Sequence, residues 1–290
     1  LREDAIDEFE SIFERASIPV LDVQEVRLER IAVVLKGHPL DGSILRLASE
    51  LKQRFSASIS AHGVDTDKGR AALDAARESG FEASPTAFRS TAELVGQISV
   101  GCAQLVLIPE PGDLPESLVD KNDLVRGSAP PILLVRKPID DAATVFQNVL
   151  HSLSGNFRQT QNFAFSFALT AGGGRLFLLH AIDENEVLHV RDALRVSPEM
   201  DTSERDGLLE QMMRQGERYL KGVVAASKRS NYEIAYRIAV GNVVETVTAE
   251  LARGEYGLLV VGQHQAGHSD VSAADYRLMH EVRDVPVLAL

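Results

Sequence analysis

The stretch Val260-Val-Gly-Gln-His-Gln-Ala-Gly-His-Ser-Asp270 has the make-up of a ligand loop. An apolar run ends in Gly262, a polar segment carries Gly267, His264 and His268, and a helical pattern begins near 272. Strand, glycine loop and helix together present backbone amides and a helix N-terminus to an anion. The two histidines are four residues apart, a spacing that on a helix would serve one metal ion. Here they fall in a loop with Asp270 as the one added ligand nearby, so a solvated loop is the simpler reading. A second candidate is Ser154-Gly-Asn-Phe-Arg-Gln159, which follows another apolar run. Ser154 and Arg158 stand at the start of a helical pattern, where they suit an anion or a helix cap. Lys36 and His38, after the first apolar run, could meet an anion or simply solvent. Spacing places no Ser/His/Asp set, no carboxylate pair and no cysteine ligand set.

Three other features bound the chemistry. Cys102 is the single cysteine, so no intrachain disulfide forms and a reducing, cytoplasmic compartment is the natural setting. It lies in Val100-Gly-Cys-Ala103 and is expected as a small buried hydrophobe rather than a nucleophile. His180 closes an apolar run and is expected as a satisfied histidine near the core. Asp183, Glu184 and Glu186 read as an exposed acidic loop. The formal charge of -12, from 30 basic and 42 acidic residues, argues against a nucleic-acid partner and against docking on anionic lipid. No apolar run reaches the ~20 residues of a membrane-spanning helix, so direct membrane insertion is not expected.

Hydrophobic periodicity supplies the elements that must position these residues. Residues 1–17 read as an acidic amphipathic helix ended by Pro19. Strands are then expected at 30–35, 57–62, 82–88, 104–108 and 131–135, with helices at 40–55, 68–79, 91–101 and 114–126 between them. Ser90 with Glu93 suggests a capping box for the third helix. The same order returns with strands at 145–150, 175–181, 232–240, 258–261 and 285–290, and helices at 159–170, 203–229, 243–253 and 272–282. The copies align as Ile31–Leu35 with Phe146–Leu150, residues 104–108 with 257–261, and residues 129–135 with 284–290. Apolar strands alternating with helices mean a parallel sheet covered on both faces. The expected fold is α/β: two tandem doubly wound, Rossmann-like domains, each a five-stranded, mainly parallel sheet. Residues 1–28 form a helix and linker, 29–140 the first domain and 141–290 the second. Each copy should offer one crevice beyond the carboxyl ends of its first and fourth strands.

Two such copies, with Leu258-Leu-Val-Val-Gly-Gln-His264, Val285-Pro-Val-Leu288 and Gly174-Arg-Leu-Phe-Leu-Leu-His-Ala181, resemble a tandem universal stress protein over nearly the whole chain after residue 29. The resemblance implies ATP or AMP binding in some members, through G-x2-G-x9-G-[ST] after the fourth strand and an Asp at the end of the first. Gly262 matches the first glycine, but Gln265, Asp275 and Tyr276 take the next three motif positions. The first copy reads Pro109-Glu-Pro-Gly-Asp113, with no proline amide to offer and two acids. Lys36 and Ser154 stand where the first-strand Asp would be. The resemblance therefore implies a stress-response or regulatory module with impaired ATP binding and no cofactor, acting through dimerisation or a protein partner. The chain begins at Leu1 without Met, which fits a segment of a longer protein, including one linked to an upstream membrane transporter. Self-association is expected through the last strand of each copy, either between the two copies or with a second chain. The alternative is an atypical binder of ATP, AMP or another anion in the second crevice, with Gly262, Gly267, Ser154 and Arg158 as contacts. Ser154-Gly155 also agrees with the opening of an S-G-G-x-D-S pyrophosphatase loop, but its Asp is absent; an enzyme reading would rest on Ser154 or Asp275.

Overall fold

A computed structural model describes residues 23, 25–110, 130–153, 160–183, 202–227, 231–262 and 273–290. The expected helices at 1–17 and 114–126 lie outside the described residues, as do His264, His268, Asp270, Glu184 and Glu186. The first copy contributes β1 (Arg30–Leu35), α1 (Asp41–Phe55), β2 (Ser58–Gly63), α2 (Asp67–Glu78), β3 (Glu82–Ala83), α3 (Thr91–Val100), β4 (Leu105–Pro109) and β5 (Ile132–Val135). A helical turn, α4 (Ala142–Val145), leads to the second copy. That copy contributes β6 (Asn148–Leu153), α5 (Thr160–Leu169), β7 (Arg175–Ile182), α6 (Thr202–Ala226), β8 (Glu233–Val240), α7 (Val243–Arg253), β9 (Leu258–Val261), α8 (Ala273–Glu281) and β10 (Val287–Ala289).

The strands form one sheet in the order β3-β2-β1-β4-β5-β10-β9-β6-β7-β8. Every pairing is parallel except the central one, where β10 runs antiparallel to β5. Leu133 faces Leu288, its counterpart in the repeat, so a local twofold axis passes between them. The two last strands thus satisfy each other within one chain. β1, β4, β5 and β9 are buried apart from Arg30, as sheets covered on both faces require. One face packs Ile44, Leu47 and Leu51 of α1 with Phe163 of α5 and Leu220 of α6; the other packs Leu94 of α3, Val247 of α7 and Leu278 of α8.

Five local expectations change. The strand expected at 145–150 begins at Asn148 and continues to Leu153. The Asp141 carboxylate accepts from Ala143 N and starts the α4 turn, which takes Val145, the first residue of the expected strand. Ile31 pairs Leu105 while Val149 pairs Leu258, so Ile31 answers Val149 and not Phe146. The strand expected at 82–88 keeps only Glu82–Ala83 and a single bridge from Val64 to Phe88, because Pro85 cannot donate to a ladder. Cys102 is exposed, at φ +48° in the turn after α3, rather than buried. His180 lies inside β7, which runs on to Ile182.

Two arginines of the first copy fasten the seam, one on each face. Arg54, at the end of α1, donates to the carbonyls of Ala168, Leu169 and Thr170 at the C-terminus of α5, and its guanidinium lies 5.1 Å from the Phe146 ring centre. Arg136, after β5, donates to Met279 O and Val282 O at the end of α8. It also pairs with Glu110 at 2.6 Å. Cations suit helix C-termini, where carbonyls lack intrahelical donors.

Candidate functional site

The sheet changes winding direction between β1 and β4 in the first copy and between β6 and β9 in the second. Each carboxyl edge there opens the crevice typical of doubly wound sheets.

In the first crevice, β1 ends at Leu35 and the chain turns through Lys36, Gly37 and His38 into α1. Gly37 has φ +70°, and a Cβ there would come 2.3 Å from Lys68 Cβ, so only glycine fits. The turn aims three successive amides at one point, an arrangement that suits an anion. The anion is the protein's own. Asp41 Oδ2 accepts from Gly37 N at 2.7 Å and His38 N at 3.2 Å, and Oδ1 accepts from Lys36 N at 3.3 Å. Asp41 is 6% exposed. Burial pushes its carboxyl above the usual Asp range, and the three amides and His38 pull it back only in part. His38 Nδ1 accepts from Leu40 N, so this ring nitrogen too is used within the turn.

The β4 side of the same crevice is equally occupied. Pro109, the last residue of β4, has no amide. Glu110 N donates to Val135 O, and the Glu110 carboxylate holds Arg136, whose side chain is 5% exposed.

In the second crevice Gly262 directly follows β9 at the carboxyl edge. The other expected contacts, Ser154, Arg158 and Gly267, lie outside the described residues, as does Gln265. Asp275 is buried in the first turn of α8, where a carboxylate complements the helix dipole. His180 Nδ1 bonds Leu153 O at 3.1 Å, and burial lowers its pKa, which favours the neutral ring. That matches a satisfied histidine near the core. His151 of β6 is 1% exposed and bonds Ser166 Oγ at 2.9 Å. Burial brings its pKa down to about 3. A Ser–His pair so buried is a packing element, closed to substrate.

Sequence reasoning missed two residues. Asp41 carried a usable signal, an acid opening a helix just after a glycine turn. Ser152 carried none. It points to the opposite face from His151, toward α7 and α8, and is 1% exposed. Among the described residues its Oγ has no hydrogen-bond partner. Through the pairing of His151 with Val260 it stands beside the end of β9.

No family model and no curated protein matches the chain. Solved structures do. A functionally unknown protein from Pseudomonas aeruginosa PAO1 superposes with TM-score 0.57 at 14% identity, covering 94% of each chain. A universal stress protein from Archaeoglobus fulgidus DSM 4304 gives 0.56 at 13%, covering 89% of this chain and 97% of that one. A putative universal stress protein from Pseudomonas aeruginosa UCBPP-PA14 gives 0.56 at 14%, covering 93% and 94%. The chain therefore has the fold of two-domain universal stress proteins. Among the described residues no helix is long and apolar enough to cross a membrane.

Proposed function

We propose that the chain is a regulatory module of the universal stress protein type whose first crevice is held shut by its own Asp41, and which works through protein association rather than nucleotide turnover. The supporting observation is the clasp of the Lys36, Gly37 and His38 amides on the Asp41 carboxylate. A phosphate seeking those amides competes with a carboxylate tethered a few residues away, and a tethered group acts at a high effective concentration. The half-buried Arg136–Glu110 pair adds a second closed position at the mouth. The stress-response role itself is carried over from the fold, which is an analogy. A larger protein, including a membrane transporter, remains a candidate for what the module serves.

A second reading has its own observation. The Ser152 Oγ at the other crevice, without a partner among the described residues, is a buried hydroxyl with bonds to give, beside the end of β9 just before Gly262. A small anion or a nucleotide such as ATP or AMP there would satisfy it, with Ser154, Arg158 and Gly267 as further contacts.

Thermal unfolding with and without ATP, AMP and cyclic nucleotides tests both readings. A ligand at ~100 times its dissociation constant stabilises by ~2.7 kcal/mol. No shift with any nucleotide supports the closed module. A shift removed by Ser152→Ala supports the second reading. A shift that Ser152→Ala leaves intact and Asp41→Ala enlarges would mean that the first crevice binds nucleotide after all.

A further inference from the structure

The sheet ends differently on its two sides. At one edge β3 is two residues long and Ser84-Pro85 breaks it off. At the other, β8 runs for eight residues, Glu-Ile-Ala-Tyr-Arg-Ile-Ala-Val, with no Pro, Gly or Lys. Among the described residues nothing pairs with its outer edge. A long edge without such devices is a template for another strand.

The backbone shows which groups face out. Glu233 N donates to Gly174 O and Gly241 N donates to Ile182 O, both toward β7. Backbone direction alternates along a strand, so Ile234, Tyr236, Ile238 and Val240 turn their N–H and C=O outward. A second copy pairing antiparallel must set outward residues against outward residues.

The side chains select the register. With Ala235 opposite itself, Glu233 faces the partner's Arg237, Ile234 faces the partner's Tyr236, and Tyr232 faces the partner's Ile238. Opposite charges and aromatic/β-branched pairs are the favourable cross-strand combinations. Centring on Tyr236 sets Glu233 against Ala239 and loses the ion pairs. Centring on Arg237 sets two guanidinium groups face to face. Both charges have capacity left. The Glu233 side chain is 68% exposed, and among the described residues its ion-pair contact is Arg175 at 3.8 Å. Arg237 Nη2 forms an ion pair with Glu250 at 2.6 Å, while its Nε has no acceptor among the described residues.

We propose that β8 is a self-association edge: two copies of this chain pair antiparallel through β8 about a dyad at Ala235, joining their sheets. The surface is separate from the β5–β10 seam and independent of what either crevice holds.

The test is a cysteine cross-link in a Cys102→Ser background. Directly opposed residues outside the hydrogen-bonded pairs have Cα atoms about 4.5 Å apart, within disulfide reach. Ala235→Cys should give a covalent dimer on mild oxidation. Ala239→Cys, about 27 Å from its own copy in this register, should give none. Both variants should keep the wild-type thermal transition. Sedimentation should show the wild type as a dimer that Glu233→Arg weakens. A monomeric wild type at every concentration tested overturns the proposal. So does a dimer in which Ala239→Cys links as readily as Ala235→Cys.

Discussion

Replacing Asp41 with Ala removes the acceptor of three amides at once. Two of the bonds, at 2.7 and 3.2 Å, are well formed, and the third is long at 3.3 Å. A hydrogen bond to a charged acceptor contributes ~1.5–3 kcal/mol, against which the variant no longer has a carboxylate to bury and the freed amides recover some water. The expected net loss is about 2–3 kcal/mol. At about 2.1 cal/mol/K per residue, a 290-residue chain unfolding as one unit has an entropy of roughly 0.6 kcal/mol/K, so the transition should fall by about 3–5 °C. The diagnostic step is rescue. Inorganic phosphate or sulfate, compared with chloride at matched ionic strength, should raise the variant's melting temperature and leave the wild type nearly unmoved. An Asp41→Ala protein as stable as the wild type would refute the clasp as a stabilising contact. Equal phosphate stabilisation of both proteins would show that the amides were never occupied.

Other outcomes follow from single side chains. Arg136→Met should leave the Glu110 carboxylate in place without its cation and the end of α8 without its cap, at a cost of about 3–5 kcal/mol in urea unfolding; an unchanged midpoint would contradict the seam described above. Ser152→Ala removes a hydroxyl with no partner among the described residues, so the ligand-free protein should be as stable or more stable by up to about 1 kcal/mol; a clear loss in denaturant titration would mean that the hydroxyl is bonded. The His151 imidazole sits at about 3 when folded, against ~6.5 when unfolded. Between those values the unfolded state binds the extra proton, so stability is present above pH ~6.5 and is lost as pH falls toward 3, at up to ~1.4 kcal/mol per unit. His62 and His180 are also lowered by burial and add in the same direction. His151→Gln should lie below the wild type at pH 7 and approach it as pH falls; a constant gap would show that His151 does not carry the slope.

The repeat, the parallel strands and the two switch points were legible because buried strands write continuous apolar runs. Residues 258–261 and 243–253 were read to the residue, and Ser90 does accept from Glu93 N as the capping pattern implies. What failed was local competition. Val145 looks like the start of a strand until Asp141 caps a turn that takes it in. Cys102 sits in apolar company, yet the turn closing α3 leaves it in solvent. Long-range polar contacts left no trace in periodicity. Arg54 reaches carbonyls more than a hundred residues away, and Arg136 does the same from the other face. The last strands were expected as association edges. The antiparallel pairing of β5 with β10 uses them inside the chain. At the first crevice, attention to glycine spacing favoured a damaged cradle and passed over the acid that fills it.

The most direct test of the closed first crevice is to follow the backbone amide resonances of Lys36, Gly37 and His38 while ATP is titrated into the full chain. The three amides should stay fixed in the wild type, because Asp41 already holds them, and should become responsive to phosphate only in Asp41→Ala. A saturable shift of all three in the wild type would contradict the account.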